Sequence, residues 1–74
     1  MQIEVRLFAY FREGRFKNSK LEIENSTTVL DILNRLNIDK DDASIKLING
    51  KDGELTSTFN DGDVLSLFPP VGGG

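Results

Sequence analysis

The 74-residue chain has no cysteine and no histidine. Without cysteine there is no disulfide framework, no thiolate metal site and no cysteine nucleophile. Without histidine the commonest general base and the commonest metal ligand are both missing. Proline occurs only as the adjacent pair Pro69-Pro70. No apolar run approaches the roughly 20 residues of a membrane span. Nothing resembles a signal peptide, since Met1-Gln2 leads straight into a strand-like pattern. The expected address is the cytosol, with no membrane partner. Net charge is −3, from nine basic and twelve acidic residues. That balance argues against a nucleic-acid partner, whose binders carry a basic face. Arg6, Arg12, Arg15, Lys17 and Lys20 gather in the first third, and acidic residues dominate from Asp31 to Asp63. The plain reading is a solvated surface of mixed charge; the other is a docking face for a charged partner.

The length allows one small domain, whose apolar positions must nearly all be used. Ile3, Val5, Leu7 and Ala9 alternate with Gln2, Glu4, Arg6, Phe8 and Tyr10, the period of a strand with one buried face. Arg12 to Ser19, around Gly14, reads as a loop or wide turn. Leu21 and Ile23 alternate with Lys20, Glu22 and Glu24, which predicts a second strand, antiparallel to the first. At Asn25 to Thr28 the period changes. Val29, Ile32, Leu33 and Leu36 fall on one helical face. Thr28 or Thr27 is placed to cap the helix, Asp31 suits its positive end, and Asn37 suits its left-handed exit. Ile45, Leu47 and Ile48 predict a third strand. Asn49-Gly50 predicts a hairpin turn, Glu54 to Thr58 a short return strand, and Asn60 to Asp63 a tight turn. Val64 to Phe68 is the last strand, ended by two prolines that cannot continue a ladder. The order is β-β-α-β-β-β with one amphipathic helix.

One helix covers one face of one sheet, so the other face meets solvent or a partner. If Val5, Leu7, Leu65 and Leu67 face the helix, then Phe8, Tyr10, Ser66 and Phe68 face away. Phe8, Phe68 and Pro70 are therefore candidates for an exposed apolar patch. Beside that patch the chain ends in Gly72-Gly73-Gly74. Three glycines add almost no buried area and lose much backbone entropy on ordering. They read either as a frayed terminus or as a thin tail that threads a narrow cleft and presents its carboxylate. Phe68-Pro69-Pro70-Val71 stiffens the chain at the domain edge and favours the second reading. The expected organisation is a domain of residues 1–70 and a flexible tail of residues 71–74. Gly72-Gly-Gly is not a phosphate loop, because no lysine or helix follows it.

Three segments resemble one family. Val5-Arg-Leu-Phe-Ala9 runs into Phe11-Arg-Glu13; Phe59-Asn-Asp-Gly-Asp63 precedes the last strand; Phe68-Pro-Pro-Val-Gly-Gly-Gly74 ends the chain. These are similar to the small sulfur-carrier proteins of the ubiquitin-like β-grasp group (MoaD/ThiS), and look most like the small subunit of molybdopterin synthase. The resemblance spans the chain, which is shorter than many such subunits around Asn37 to Ala43. Gly72 fills the variable position before the final Gly-Gly pair. The implied fold is α+β, a ubiquitin-like β-grasp with a mixed sheet of 4–5 strands on one main helix of about residues 28–37.

The implied role is that of a carrier, not a catalyst. In this family a ubiquitin-activating-type (MoeB/ThiF-like) adenylyltransferase uses ATP to activate the terminal glycine carboxylate, and a sulfur donor converts it to a thiocarboxylate. The tail then enters the active site of the synthase's MoaE-like large subunit and gives sulfur to a pterin precursor. No bound cofactor is expected, because ATP belongs to the activating enzyme. Carried onto this sequence, Gly74 bears the sulfur and Gly73 shares its channel. Phe68, Pro69, Pro70, Val71 and Gly72 would line the docking segment, with Phe8 facing the large subunit. Arg12 and Glu13 match the family pattern without an assigned role, and Asp61, Gly62 and Asp63 are expected to build a turn. Three alternatives share the sequence: a thiamine-thiazole sulfur carrier, a modifier joined through Gly74 to lysines, and an interaction domain with an inert tail.

Overall fold

A computed structural model describes residues 1–70. Strand β1 (Gln2–Leu7) is followed by a 3₁₀ turn (Ala9–Arg12), β2 (Asn18–Glu22), helix α1 (Val29–Arg35), β3 (Ile45–Ile48), β4 (Lys51–Asp52) and β5 (Val64–Phe68). The five strands form one mixed sheet in the order β2-β1-β5-β3-β4. β1 pairs with β2 antiparallel and with β5 parallel, while β3 runs antiparallel to both β5 and β4. The last strand therefore lies at the centre. A mixed sheet with one helix is the α+β β-grasp architecture.

The period-two residues of β1 and β5 build one core. Val5, Leu7, Leu65 and Leu67 are fully buried, together with Val29, Ile32 and Leu33 of α1. Ile23, Phe11, Ile38, Ala43 and Phe59 close the rim. Lys46 lies on the inner face through its pairing with Leu67, and it carries its ammonium out to the carbonyl of Ala43.

The helix is fixed at both ends. Thr28 Oγ1 accepts from the Asp31 N–H (3.2 Å), and Asp31 Oδ2 accepts from the Thr28 N–H (2.9 Å). This reciprocal capping box satisfies donors that a helix start leaves open. The next two donors, Val29 and Leu30 N–H, reach the carbonyls of Ser57 and Leu55. At the other end Asn37 takes φ +58°. Arg15 donates to the carbonyls of Leu36, Asn37 and Phe11 at 2.9–3.1 Å. A guanidinium there meets the negative end of the helix dipole.

Three expectations change. Ala9 and Tyr10 do not extend β1: the chain turns at Ala9 (φ +53°), leaves Ala9 exposed and buries Phe11 instead. A left-handed alanine costs about 1–2 kcal/mol, and burying a phenylalanine ring returns about as much or more. The second strand begins at Asn18, two residues earlier than expected, and ends at Glu22, although Ile23 stays buried. Glu54 to Thr58 is not a strand. The return strand is Lys51–Asp52 alone, after an Asn49-Gly50 turn with φ of +53° and +82°. Glu54 to Ser57 then forms a turn, closed by Ser57 N–H on the Glu54 carbonyl, that frees the two carbonyls capping α1.

Thr28→Ala removes one half of the capping box and is expected to lower stability by about 0.5–2 kcal/mol, read as a lower urea midpoint; an unchanged midpoint would contradict the assigned cap. Arg15→Ala strips three carbonyls of their partner and is expected to lose about 1 kcal/mol. The check is amide exchange, which should quicken at the C-terminal end of α1 before it does in β1 and β5.

Candidate functional site

The register assigns the outer sheet face row by row. Phe68 pairs with Ile45, and Ser66 with both Arg6 and Leu47. Arg6 pairs with Asn18 on its other side, and Val64 pairs with Glu4, which pairs with Lys20. Directly paired residues share a face. The face is thus divided. Its end at the exit of β5 carries Phe68, Phe8, Ile45 and Leu47, while its other end carries Glu4, Lys20, Gln2 and Glu22.

At the apolar end, Phe8 and Phe68 stack almost parallel, with ring centroids 4.2 Å apart and 11° between planes. The Phe8 N–H donates to the Leu67 carbonyl (3.2 Å), which anchors the backbone of one ring to the strand of the other. Both rings stay half-buried with no helix above them. Ile45, 42% exposed, continues the apolar surface on the far side of Phe68. Pro69 is buried and Pro70 exposed. Val71, Gly72, Gly73 and Gly74 lie outside the described residues.

The 3₁₀ turn adds what the period-two reading missed. Tyr10 projects into solvent (48% exposed) with its ring edge-on to Phe11. Arg12 folds back: its Nε donates to the Leu7 carbonyl (2.7 Å), and its guanidinium lies 5.2 Å from the Phe8 ring centroid. Such a cation over a ring is worth about 0.5–1 kcal/mol at an exposed site. The Phe11-Arg-Glu13 segment carried this signal in sequence, but a strand running through Ala9 sends Arg12 elsewhere. Leu47 was also legible as the apolar neighbour of inward-facing Ile48. Arg6 pairs with Glu4, and this bond holds the Glu4 carboxyl below its ordinary range.

The Asp61-Gly-Asp63 segment is a structural turn. Asp61 Oδ1 accepts from Gln2 N–H, Asp63 Oδ2 accepts from Asn60 N–H, and Gly62 takes φ +88°. Asn49 ties the two turns together, donating from Nδ2 to Asp63 and accepting at Oδ1 from Val64 N–H. Among the described residues no group of three or more acidic side chains is placed to hold a metal ion. No described helix is long and apolar enough to cross a membrane. The described outer face thus offers an apolar patch beside a fixed guanidinium, at the end of β5.

Comparison with known proteins bears on that surface. The sequence model of the ThiS family matches residues 5–74. Small archaeal modifier protein 3 of Haloferax volcanii is 33% identical over 95 residues, covering 100% of both chains. The crystal structure of SAMP1 from Haloferax volcanii superposes with a TM-score of 0.79 at 30% identity, again over 100% of both. Subunit 1 in a complex of subunits 1 and 2 of molybdopterin-converting factor from Helicobacter pylori gives 0.65 at 30% identity over 100% of both. With the family's model matched over residues 5–74 and the fold superposing on SAMP1 along its full length, this chain belongs to the ThiS family of small ubiquitin-like carriers and modifiers.

Proposed function

We propose that the chain is a sulfur carrier that works as the small subunit of molybdopterin synthase. Its Gly74 carboxylate is adenylated, converted to a thiocarboxylate and used to donate sulfur in molybdopterin biosynthesis. The observation that carries the reading is the ending Phe68-Pro-Pro-Val-Gly-Gly-Gly74. Its described part, Phe68 to Pro70, closes the central strand and follows directly from the Phe8–Phe68 stack.

The chemistry balances with no catalytic side chain from this chain. A carboxylate is a poor electrophile because its oxygen is a poor leaving group. Adenylation joins that oxygen to the α-phosphorus of ATP and releases pyrophosphate. A sulfide-level donor then attacks the carbonyl carbon, and AMP leaves with the oxygen. The thiocarboxylate sulfur is an anionic nucleophile that needs no cysteine. It displaces an oxygen leaving group from a carbon of the pterin precursor, water then cleaves the acyl–sulfur bond and returns the Gly74 carboxylate, and two such transfers supply the two sulfurs of a dithiolene. Glycine leaves the reacting carbonyl unhindered, and Gly72-Gly73 accept any backbone angle a channel requires. ATP, metal and general bases belong to the partners, in keeping with a chain that has neither histidine nor cysteine. Those partners are the adenylyltransferase, a sulfur donor and a large subunit like subunit 2 of the Helicobacter pylori complex. The carrier is expected to act in the cytosol.

The relatives called small archaeal modifier proteins favour a second reading. In it the activated Gly74 is captured by a lysine amine, forming an isopeptide bond and releasing AMP. A thiazole-synthesis carrier would share the activation step and differ only in its acceptor.

The deciding experiment supplies the thiocarboxylated chain with the large subunit and the cyclic pterin precursor. Formation of the dithiolene product is the expected result. No product, together with Gly74 found on lysine side chains, would transfer the assignment to the modifier reading. Deleting Gly73-Gly74 is expected to abolish turnover, and Gly74→Ala to slow it sharply; normal turnover in either would contradict the role of the tail. Phe68→Asp is expected to weaken large-subunit binding about tenfold or more while leaving the circular dichroism spectrum unchanged.

A further inference from the structure

Beside the aromatic stack lies an open hollow of about 330 Å³, lined by Arg6, Phe8, Arg12, Lys17 and Asn18. Three of these five residues are cationic, in a chain whose net charge is −3. They come from three places: Arg6 from β1, Arg12 from the 3₁₀ turn and Lys17 from the approach to β2. The left-handed Ala9 makes the gathering, because the turn it starts brings Arg12 back over Phe8.

The three cations are not equivalent. Arg6 already has a carboxylate partner in Glu4. Arg12 spends Nε on the Leu7 carbonyl, which fixes its plane and leaves the two terminal amino groups without an intramolecular hydrogen bond among the described residues. A guanidinium held this way is a preset fork for a carboxylate. Lys17 makes no side-chain hydrogen bond among the described residues and supplies a second, exposed charge. We infer that this hollow is a carboxylate-recognition site, in which Arg12 and Lys17 receive an aspartate or glutamate of the protein that docks on the Phe8–Phe68 face.

Charge and apolar surface together select that occupant. The stack, Ile45 and Leu47 form an apolar surface next to the hollow, which a free phosphate would leave uncovered. On the other end of the face Glu4 and Glu22 stand beside Lys20, so no basic track continues along it for a nucleic-acid backbone. A protein surface with an acidic residue beside an apolar patch matches both halves. Arg12 then fixes register at the centre of the contact, and Lys17 steers approach from its rim.

The inference rests on the Phe8–Phe68 face being the docking face, and the test separates the two. The probe is the activating adenylyltransferase, which every carrier or modifier reading shares. Binding of the full chain is measured by titration calorimetry and by stopped flow over a range of salt concentrations. Arg12→Gln is expected to weaken binding about tenfold or more, and Arg12→Lys to restore only part of it. Lys17→Gln, which removes no side-chain hydrogen bond or ion pair among the described residues, is expected to slow association and flatten its salt dependence. If Phe68→Asp weakens binding while Lys17→Gln and Arg12→Gln leave affinity and salt dependence unchanged, the carboxylate site is wrong and the docking face stands. If Phe68→Asp binds normally, this face does not dock the activating enzyme and the inference falls; if the parent chain does not bind an enzyme active on another carrier, the carrier and modifier readings fall with it.

Discussion

β5 lies between β1 and β3, and its parallel pairing with β1 governs both faces of the sheet. On the inner side the pairing sets Val5 beside Leu65 and Leu7 beside Leu67, all fully buried under α1. On the outer side the same register brings Phe8 onto Phe68. Because side chains alternate across a strand, a slip of one residue would turn the leucines to solvent and the phenylalanine inward. The core thus fixes the register, and the register builds the patch. In a domain of this size almost every buried apolar side chain serves that single arrangement.

From that pairing the functional reading follows by position. The strand that ends the domain is its most central one, so the segment after Phe68 starts from a rigid base. Pro69 is buried against the fold and Pro70 is exposed. The turn after β1 places Arg12 over one ring of the stack and Tyr10 in solvent beside it. Aromatic anchors with an arginine at their edge are the features that dominate protein contacts. The proposed carrier role asks for little more than this: a docking face on a stiff sheet and a tail for its partners' chemistry.

Much of the frame was legible in the sequence because each signal was local. Thr28 with Asp31 announced the cap, Asn37 the helix exit, and Asn49-Gly50 the hairpin turn. The alternation in β1 and β5 announced which residues are buried. The errors came where tertiary contacts outvoted a local pattern. The alternation through Ala9 and Tyr10 suggested a longer strand, but burial of Phe11 turned the chain. Glu54 to Thr58 suited a strand, yet two of its carbonyls serve the first donors of α1. Phe8 and Phe68 were legible as outward-facing neighbours, while the cation gathered onto Phe8 depended on a turn that alternation could not reveal. The glycine tail was read from composition and from resemblance, and its residues lie beyond those the structure describes.

The central claim is that Gly74 is a site of covalent activation. It is tested most directly by the intact mass of the chain after incubation with the activating enzyme, ATP and a sulfur donor, with fragmentation to locate the change. The account predicts the mass gained when one oxygen is replaced by one sulfur, located at Gly74. An unchanged mass, with an enzyme shown to be active on another carrier, would contradict it.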